Sequence, residues 1–395
     1  MRRLVIEVLY FERNKAYGAQ EFLFNLLDYF YERREDISYD RIIIACRDTQ
    51  QDAFERYKGR LETFGVKHNN GYLARFMAVA RLPKMLNMGN DDLLLSPGNH
   101  SGLIYKGPQI LVIHDLLFRH ENLIHNRAFR MQRRLYVPRS IKLANKVIAI
   151  SKATAKEIED SYDFAEGKVV TVYNYMNFNK YDRFGRGVDG GYFLVVSASY
   201  YHKNIETIIK AFNQYVDDGG TRSLYYVGSI QPDSELARTI ESCTTSARER
   251  IKVISHISNK ELGELYNNAS AFISASLYEG FGMPIAEAMS FNLPVLLADT
   301  DIHREISLDL AEYFSPLDYR YLAKLMQNVG SDRKTYANTI IEKYSETNTS
   351  RHYVEIINEM YENTRRGGVI LQFIDEGLKS KVRKAAAFVE RRLAA

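Results

Sequence analysis

A chain of 395 residues, 46% hydrophobic and 26% charged, has the size for two compact domains and the composition of a folded protein rather than a disordered one. Its net charge of +4 is too small to imply nucleic acid, and its two cysteines, Cys46 and Cys243, exclude a disulfide scaffold and form no metal-ligand spacing. No stretch approaches the ~20 apolar residues of a membrane span, and the first apolar run, Leu4–Tyr10, is too short for a secretory signal. A cytoplasmic protein, at most peripheral on a membrane, is expected.

Leu4–Tyr10 reads instead as a first β-strand, followed by a loop containing Tyr17-Gly18-Ala19-Gln20. Phe22, Leu23, Leu26, Leu27 and Phe30 then recur at helical spacing. Further short β-rich runs follow at Arg41–Cys46, Leu93–Leu95, Ile110–Ile113, Val147–Ile150 and Val169–Val172. Their alternation with amphipathic stretches predicts βαβ units and a parallel sheet. His114-Asp115 falls directly after one of these strands. Arg127–Lys146 holds seven cations, Arg127, Arg130, Arg133, Arg134, Arg139, Lys142 and Lys146, and no acidic residue.

The glycine-rich, aperiodic stretch Arg183–Gly191 reads as an interdomain linker. The alternation restarts after it, with strands expected at Tyr192–Ser197, Leu224–Val227, Ile251–Ile254, Ala271–Ile273, Pro294–Leu297 and Tyr313–Phe314. Lys203-Asn204 opens a helix. The expected organisation is a Rossmann-like domain over 1–182, a linker over 183–191, a second Rossmann-like domain over 192–345, a long helix over 346–363 and a tail over 364–395. Ligands of such sheets bind at the carboxyl ends of the strands, which makes the cleft between the domains the expected site.

The segment Ser276-Leu-Tyr-Glu-Gly-Phe-Gly-Met-Pro-Ile-Ala-Glu-Ala-Met289 carries the most chemistry. Gly280 and Gly282 open backbone conformations closed to other residues and let a ligand approach. Pro284 suits the first turn of a helix, whose N-terminus would offer an anion free N–H groups and a positive dipole end. Glu279 would lie on the loop beside whatever the bound phosphate carries. Glu287, one turn into the helix, would accept hydrogen bonds from two ribose hydroxyls. Asp299-Thr300-Asp301, after a later strand, reads as a helix cap rather than a metal site. Near the C-terminus, Leu378, Val382, Ala385, Val389 and Leu393 form an apolar stripe flanked by cations. Together with the Arg127–Lys146 run, it suggests a face for an anionic membrane surface.

The string from Glu279 to Glu287, with Gly280, Phe281, Gly282, Met283 and Pro284 between, closely resembles the Glu-x7-Glu signature of family four of the retaining GT-B glycosyltransferases. Tyr192–Phe212 resembles the family's opening donor-domain strand and loop, Val147–Glu157 the step closing the first domain, and Tyr344–Tyr361 the long last helix. The resemblance covers roughly residues 1–363. It implies a two-domain GT-B fold and transfer of a hexose-type sugar from a nucleotide-diphosphate sugar, with no metal or other cofactor. The implied acceptor is a saccharide or lipid-linked saccharide. By the same resemblance, Lys203 pairs with the donor diphosphate and His114 faces the cleft, with Asp115, Gly18 and Tyr17 on the acceptor side. Two departures stand out: the family's paired glycine is reduced to Gly18, and its second diphosphate cation is replaced by Ser197. His202 is the nearest group to stand in for that charge. A donor-binding scaffold without activity, or a GT-B sugar-nucleotide epimerase, are the alternatives left open.

Overall fold

The computed structural model describes residues 1–12, 18–67, 72–124, 126–181, 189–255, 257–330 and 332–365. Tyr17, most of the linker stretch and the Leu378–Leu393 stripe lie outside the described residues. Within them, two parallel sheets account for the alternation of strand and helix. The first contains β1 (Arg3–Glu7), β2 (Arg41–Arg47), β3 (Glu62–Val66), β4 (Leu93–Ser96), β5 (Gln109–Ile113), β6 (Lys146–Ala149) and β7 (Val169–Thr171). The second contains β8 (Tyr192–Val196), β9 (Ser223–Val227), β10 (Ile251–Ile254), β11 (Ala271–Ser274), β12 (Val295–Ala298) and β13 (Glu312–Phe314).

The strand orders are β3-β2-β1-β4-β5-β6-β7 and β10-β9-β8-β11-β12-β13. Each order reverses between two central strands, β1 and β4 in one sheet and β8 and β11 in the other, so a crevice forms where the flanking connections diverge. The central strands are continuous apolar runs because helices cover both faces: Leu4, Val5, Ile6, Leu93, Leu94 and Leu95 are fully buried. The first run was expected to continue as a strand to Tyr10. It stops at Glu7, where the chain turns, the Glu7 carboxylate accepts from Leu9 N at 2.8 Å, and Phe11 N donates to Val8 O. One edge strand, β3, has no counterpart in the sequence reading.

The helix Gly18–Glu32 buries Phe22, Leu23, Leu26, Leu27 and Phe30 on the face that their spacing dictated. The last described helix, Ser350–Arg365, leaves the second domain and packs on the first. Asn358 accepts from Ser38 N at 2.9 Å and donates to Asp36 O at 2.7 Å. Arg2 donates to Tyr361 O at 3.1 Å, and Tyr353 packs 5.8 Å from Phe22. The chain thus passes between the domains twice. The crossings touch, with Met176 N donating to Tyr344 O at 3.1 Å. One buried apolar cluster runs through both domains, from Leu4 and Phe22 by way of Tyr353 to Phe272 and Leu297.

Candidate active site in the interdomain cleft

A cavity of about 900 Å³ lies between the carboxyl ends of the two sheets. It is lined by Glu279, Lys203, His114, Glu287, Gly280, Phe281, Gly282, Met283, Pro284, His202, Gly18 and Asp115, so the structure brings together the residues that the sequence singled out, Tyr17 aside.

From the second domain, the loop after β8 carries Lys203. Its position is set by Asn204, which adopts φ 53° and caps the helix Ile205–Asp217. The Asn204 amide donates to Ala275 O at 3.1 Å and to Pro316 O at 2.7 Å, tying this loop to the end of β11. Lys203 Nζ lies 2.6 Å from Glu279 Oε2, and Ser276 Oγ donates to Glu279 Oε1 at 2.8 Å. Burial works against the charge on Glu279, but the Lys203 ammonium and the Ser276 hydroxyl outweigh it and hold the carboxyl below its ordinary value.

The glycine loop leads into the helix Met283–Ser290 through Gly282, whose φ of 91° permits the turn. Phe281 is buried edge-on against Tyr344 at 5.4 Å, anchoring the loop. Gly280 is required by close approach: a Cβ there would lie 1.9 Å from the carbonyl oxygen of His114. Its own carbonyl accepts from Ser151 Oγ at 2.8 Å across the cleft.

From the first domain, His114 follows β5 and is buried. Its Nε2 is 2.7 Å from Pro97 O. A carbonyl only accepts, so Nε2 carries the hydrogen and Nδ1 keeps a lone pair. Burial lowers the His114 pKa, and the ring is neutral at neutral pH. Asp115 Oδ1 accepts from Leu117 N at 3.0 Å, so part of its capacity is spent on its own turn. Gly18 is the first described residue of its helix, and a Cβ there would come within 3.3 Å of Met283 Sδ. The N-terminus of the helix Met283–Ser290 therefore faces the cleft and favours negative charge there.

His202 does not replace the missing cation. Burial, and then the neighbouring Lys203, push its pKa down to about 4, so it is uncharged at neutral pH and offers hydrogen bonding alone. Among the described residues lining the cavity, the cations are Lys203 and Lys180. Lys180 was not anticipated. It sits 2.9 Å from Glu287 Oε1 and also pairs with Glu21, while Tyr266 donates to Glu287 Oε2 at 2.9 Å.

Interdomain contacts that the sequence did not reveal hold the two halves in register. The Glu305 carboxylate accepts from Lys152 N at 2.6 Å and Ala153 N at 2.9 Å, capping the helix Lys152–Ser161 from the other domain. The Tyr278 hydroxyl donates to Glu157 at 2.7 Å and accepts from Leu116 N at 2.8 Å. In the Asp299–Asp301 stretch, Thr300 caps the helix Asp301–Ser307 by accepting from His303 N, and Asp299 pairs with Arg304. Neither aspartate lines the cavity.

Arranged this way, the cleft can hold a phosphorylated ligand with its charge on Lys203 and on the N-terminus of the helix Met283–Ser290. Hydroxyl-bearing groups can lie against Glu279, His114 and Glu287. Residues 18–179 match the sequence model described as glycosyltransferase family 4, and residues 179–345 the one described as glycosyl transferases group 1. The O-antigen chain mannosyltransferase RfbU of Salmonella typhimurium is 26% identical over 314 residues, 75% of this chain and 83% of that protein. The serotype-specific mannosyltransferase WbdA of Escherichia coli is 30% identical over 129 residues, which are 31% of this chain and 15% of WbdA. Anabaena Alr3699/HepE, solved with UDP and glucose, has a similar fold, with TM-score 0.67 and 17% identity over 90% of this chain and 99% of that one. The sucrose-phosphate synthase of Thermosynechococcus elongatus superposes with TM-score 0.71 and 14% identity over 93% and 100% of the two chains.

Proposed function

Since the chain belongs to the group 1 glycosyl transferases and is a hexosyltransferase of GT-B architecture, we propose that it moves a hexose from a nucleotide-diphosphate sugar to a saccharide or lipid-linked saccharide. The transfer retains anomeric configuration and serves cell-surface polysaccharide or glycolipid synthesis. The mannosyltransferases among its relatives make mannose the hexose we assign. The observation that carries the reading is the Lys203–Glu279 pair, set beside the N-terminus of the helix Met283–Ser290 and facing His114 across the cleft.

In this reading the anomeric C–O bond to the diphosphate breaks as a bond forms to the acceptor oxygen on the same face. The acceptor proton passes to the leaving phosphate oxygen. Negative charge grows on that phosphate, and stabilising it is the main catalytic task of Lys203 and the glycine-loop amides. Glu279 accepts hydrogen bonds from the sugar hydroxyls and so orients the ring, and the Nδ1 lone pair of His114 takes another. Glu287 receives the ribose. No step in this reading calls for a metal. Glu279→Ala and Glu287→Ala are both expected to lower turnover, the second mainly through donor KM. Wild-type kinetics in both would sink the assignment. A thermal-shift screen of nucleoside diphosphates and their sugars is expected to show stabilisation that grows with ligand concentration.

One observation favours the scaffold reading: with His202 neutral and serine at position 197, a single lysine faces the diphosphate. Consumption of nucleotide-sugar by the purified protein with extracted lipid acceptors separates the two.

We also place the protein in the cytoplasm, peripheral on an anionic membrane face. No helix among the described residues is long and apolar enough to cross a membrane. The helix Arg127–Leu143 exposes Met131 (67%) and Leu135 (65%) beside Arg139 and Lys142. It stacks through Tyr136 on Phe76 of the helix Tyr72–Met85, which exposes Met77, Arg81, Lys84 and Met85. Arg130 and Arg134 are partly spent on Glu121, so Arg139 and Lys142 are the cations to neutralise. Converting both to Gln is expected to reduce co-sedimentation with anionic vesicles and to spare nucleotide binding. Equal pelleting of the wild type with neutral and anionic vesicles would refute the membrane role.

A further inference from the structure

Lys180 lies in the short turn Phe178–Lys180, where the chain leaves the first domain, and its side chain is 16% exposed. It joins one carboxylate from each domain: Glu21 of the helix Gly18–Glu32 and Glu287 of the helix Met283–Ser290. One ammonium thus stands between the buried Glu287 and the half-buried Glu21; burial and the Glu287 charge raise the Glu21 pKa. Buried carboxylate oxygens need hydrogen-bond donors for their remaining lone pairs. Glu287 has roughly four acceptor positions. Lys180 occupies one on Oε1 and the Tyr266 hydroxyl one on Oε2, which fixes the rotation of the carboxylate. The buried Tyr181 hydroxyl also lies against Glu287, so the acceptor capacity left over is shared between it and a ligand in the cavity. Glu287, Lys180 and Glu21 all line the cavity. Two parallel acceptors on one carboxylate match the two vicinal hydroxyls of a ribose.

We propose that Lys180 is a positioning residue for the nucleoside half of the donor: it holds the Glu287 carboxylate in the orientation that reads a ribose diol, with Glu21 as the counter-ion that ties this orientation to the first domain. The proposal rests on the reading of Glu287 as the ribose acceptor. Ribose recognition then depends on both domains. The two carboxylates, not burial, keep the lysine ionised. Burial alone would lower the Lys180 pKa, but Glu287 and Glu21 raise it above its ordinary value.

The test uses UDP and GDP, each beside its 2′-deoxy counterpart, with inorganic pyrophosphate as a control, and reads dissociation constants by calorimetry. Wild-type protein is expected to bind one ribonucleotide about ten-fold or more tightly than its deoxy form, as suits a hydrogen bond to a charged group. Lys180→Met should compress that ratio to within about three-fold while leaving pyrophosphate affinity unchanged, and Lys180→Arg should restore most of it. Lys180→Gln serves if the methionine variant does not fold, with the same compression expected. Glu287→Gln separates the two readings. If it leaves the ratio intact, or the wild type shows no discrimination, ribose recognition by Glu287 falls and Lys180 with it. If Glu287→Gln compresses the ratio and the Lys180 variants do not, Lys180 alone is overturned. A purely structural lysine would weaken ribonucleotide, deoxynucleotide and pyrophosphate alike.

Discussion

Lys203→Ala is expected to lower kcat/KM by about 10²- to 10³-fold, the range for removing one donor to a developing oxyanion. The loss should fall at the upper end because nothing nearby substitutes. Ser197 carries no charge, His202 is neutral, and Lys180 is committed to Glu21 and Glu287. The substitution also strips Glu279 of the partner that keeps its pKa low, leaving burial to raise it. The sign follows directly. A depressed carboxyl stabilises the fold above its unfolded pKa, and that stabilisation fades as pH falls through the folded value. Without Lys203 the Glu279 carboxyl protonates at higher pH than in the wild type, so the acid limb of the rate profile should move upward. Steady-state kinetics across pH check both statements. Intact activity in the variant, together with abolition of wild-type activity by EDTA, would show that a metal carries the phosphate charge instead.

Gly280→Ala is expected to lower kcat by about 10²-fold, the size of effect that an ångström of misplacement in a reacting geometry can produce. The new methyl would sit 1.9 Å from the His114 carbonyl oxygen, and backbone cannot step aside as a flexible side chain can. Either the loop withdraws, breaking the Ser151 hydrogen bond, or the two domains seat farther apart. Overpacking of this kind costs about 1–3 kcal/mol, so the variant should fold with a lowered melting temperature. Nucleotide affinity should change less than turnover, because Lys203 and Glu279 lie on the second domain; any loss should fall on ribose discrimination, which the Lys180–Glu21 pair ties to the first domain. Normal turnover in a folded alanine variant would mean that the seated arrangement is not the reactive one.

The sequence revealed the strands that are buried on both faces, because an uninterrupted apolar run is a local signal. It hid β3, Glu-Thr-Phe-Gly-Val, an edge strand with exposed residues at its start and no apolar run to announce it. The glycine loop and its two glutamates were legible because they sit in one continuous string. Lys180 with Glu21 and Glu287, Tyr278 with Glu157, and Glu305 at the start of the helix Lys152–Ser161 join residues more than a hundred positions apart, and no spacing rule links them. His202 was misjudged for another reason. Its proximity to a phosphate site could be read from the strand and loop, but its charge is set by burial, a property of the folded surroundings.

The return of the helix Ser350–Arg365 to the first domain means that the second domain is spliced into the first rather than hung from its end. Its two crossings run side by side at Met176 and Tyr344, where a backbone hydrogen bond of 3.1 Å joins them. Phe281 rests on Tyr344 and lies near Tyr173, so the glycine loop is anchored directly on the two crossings. A protease cut in the first crossing would leave two polypeptides held together by the packing of the helix Ser350–Arg365 on the first domain, whereas a cut in the second would leave the two domains covalently joined.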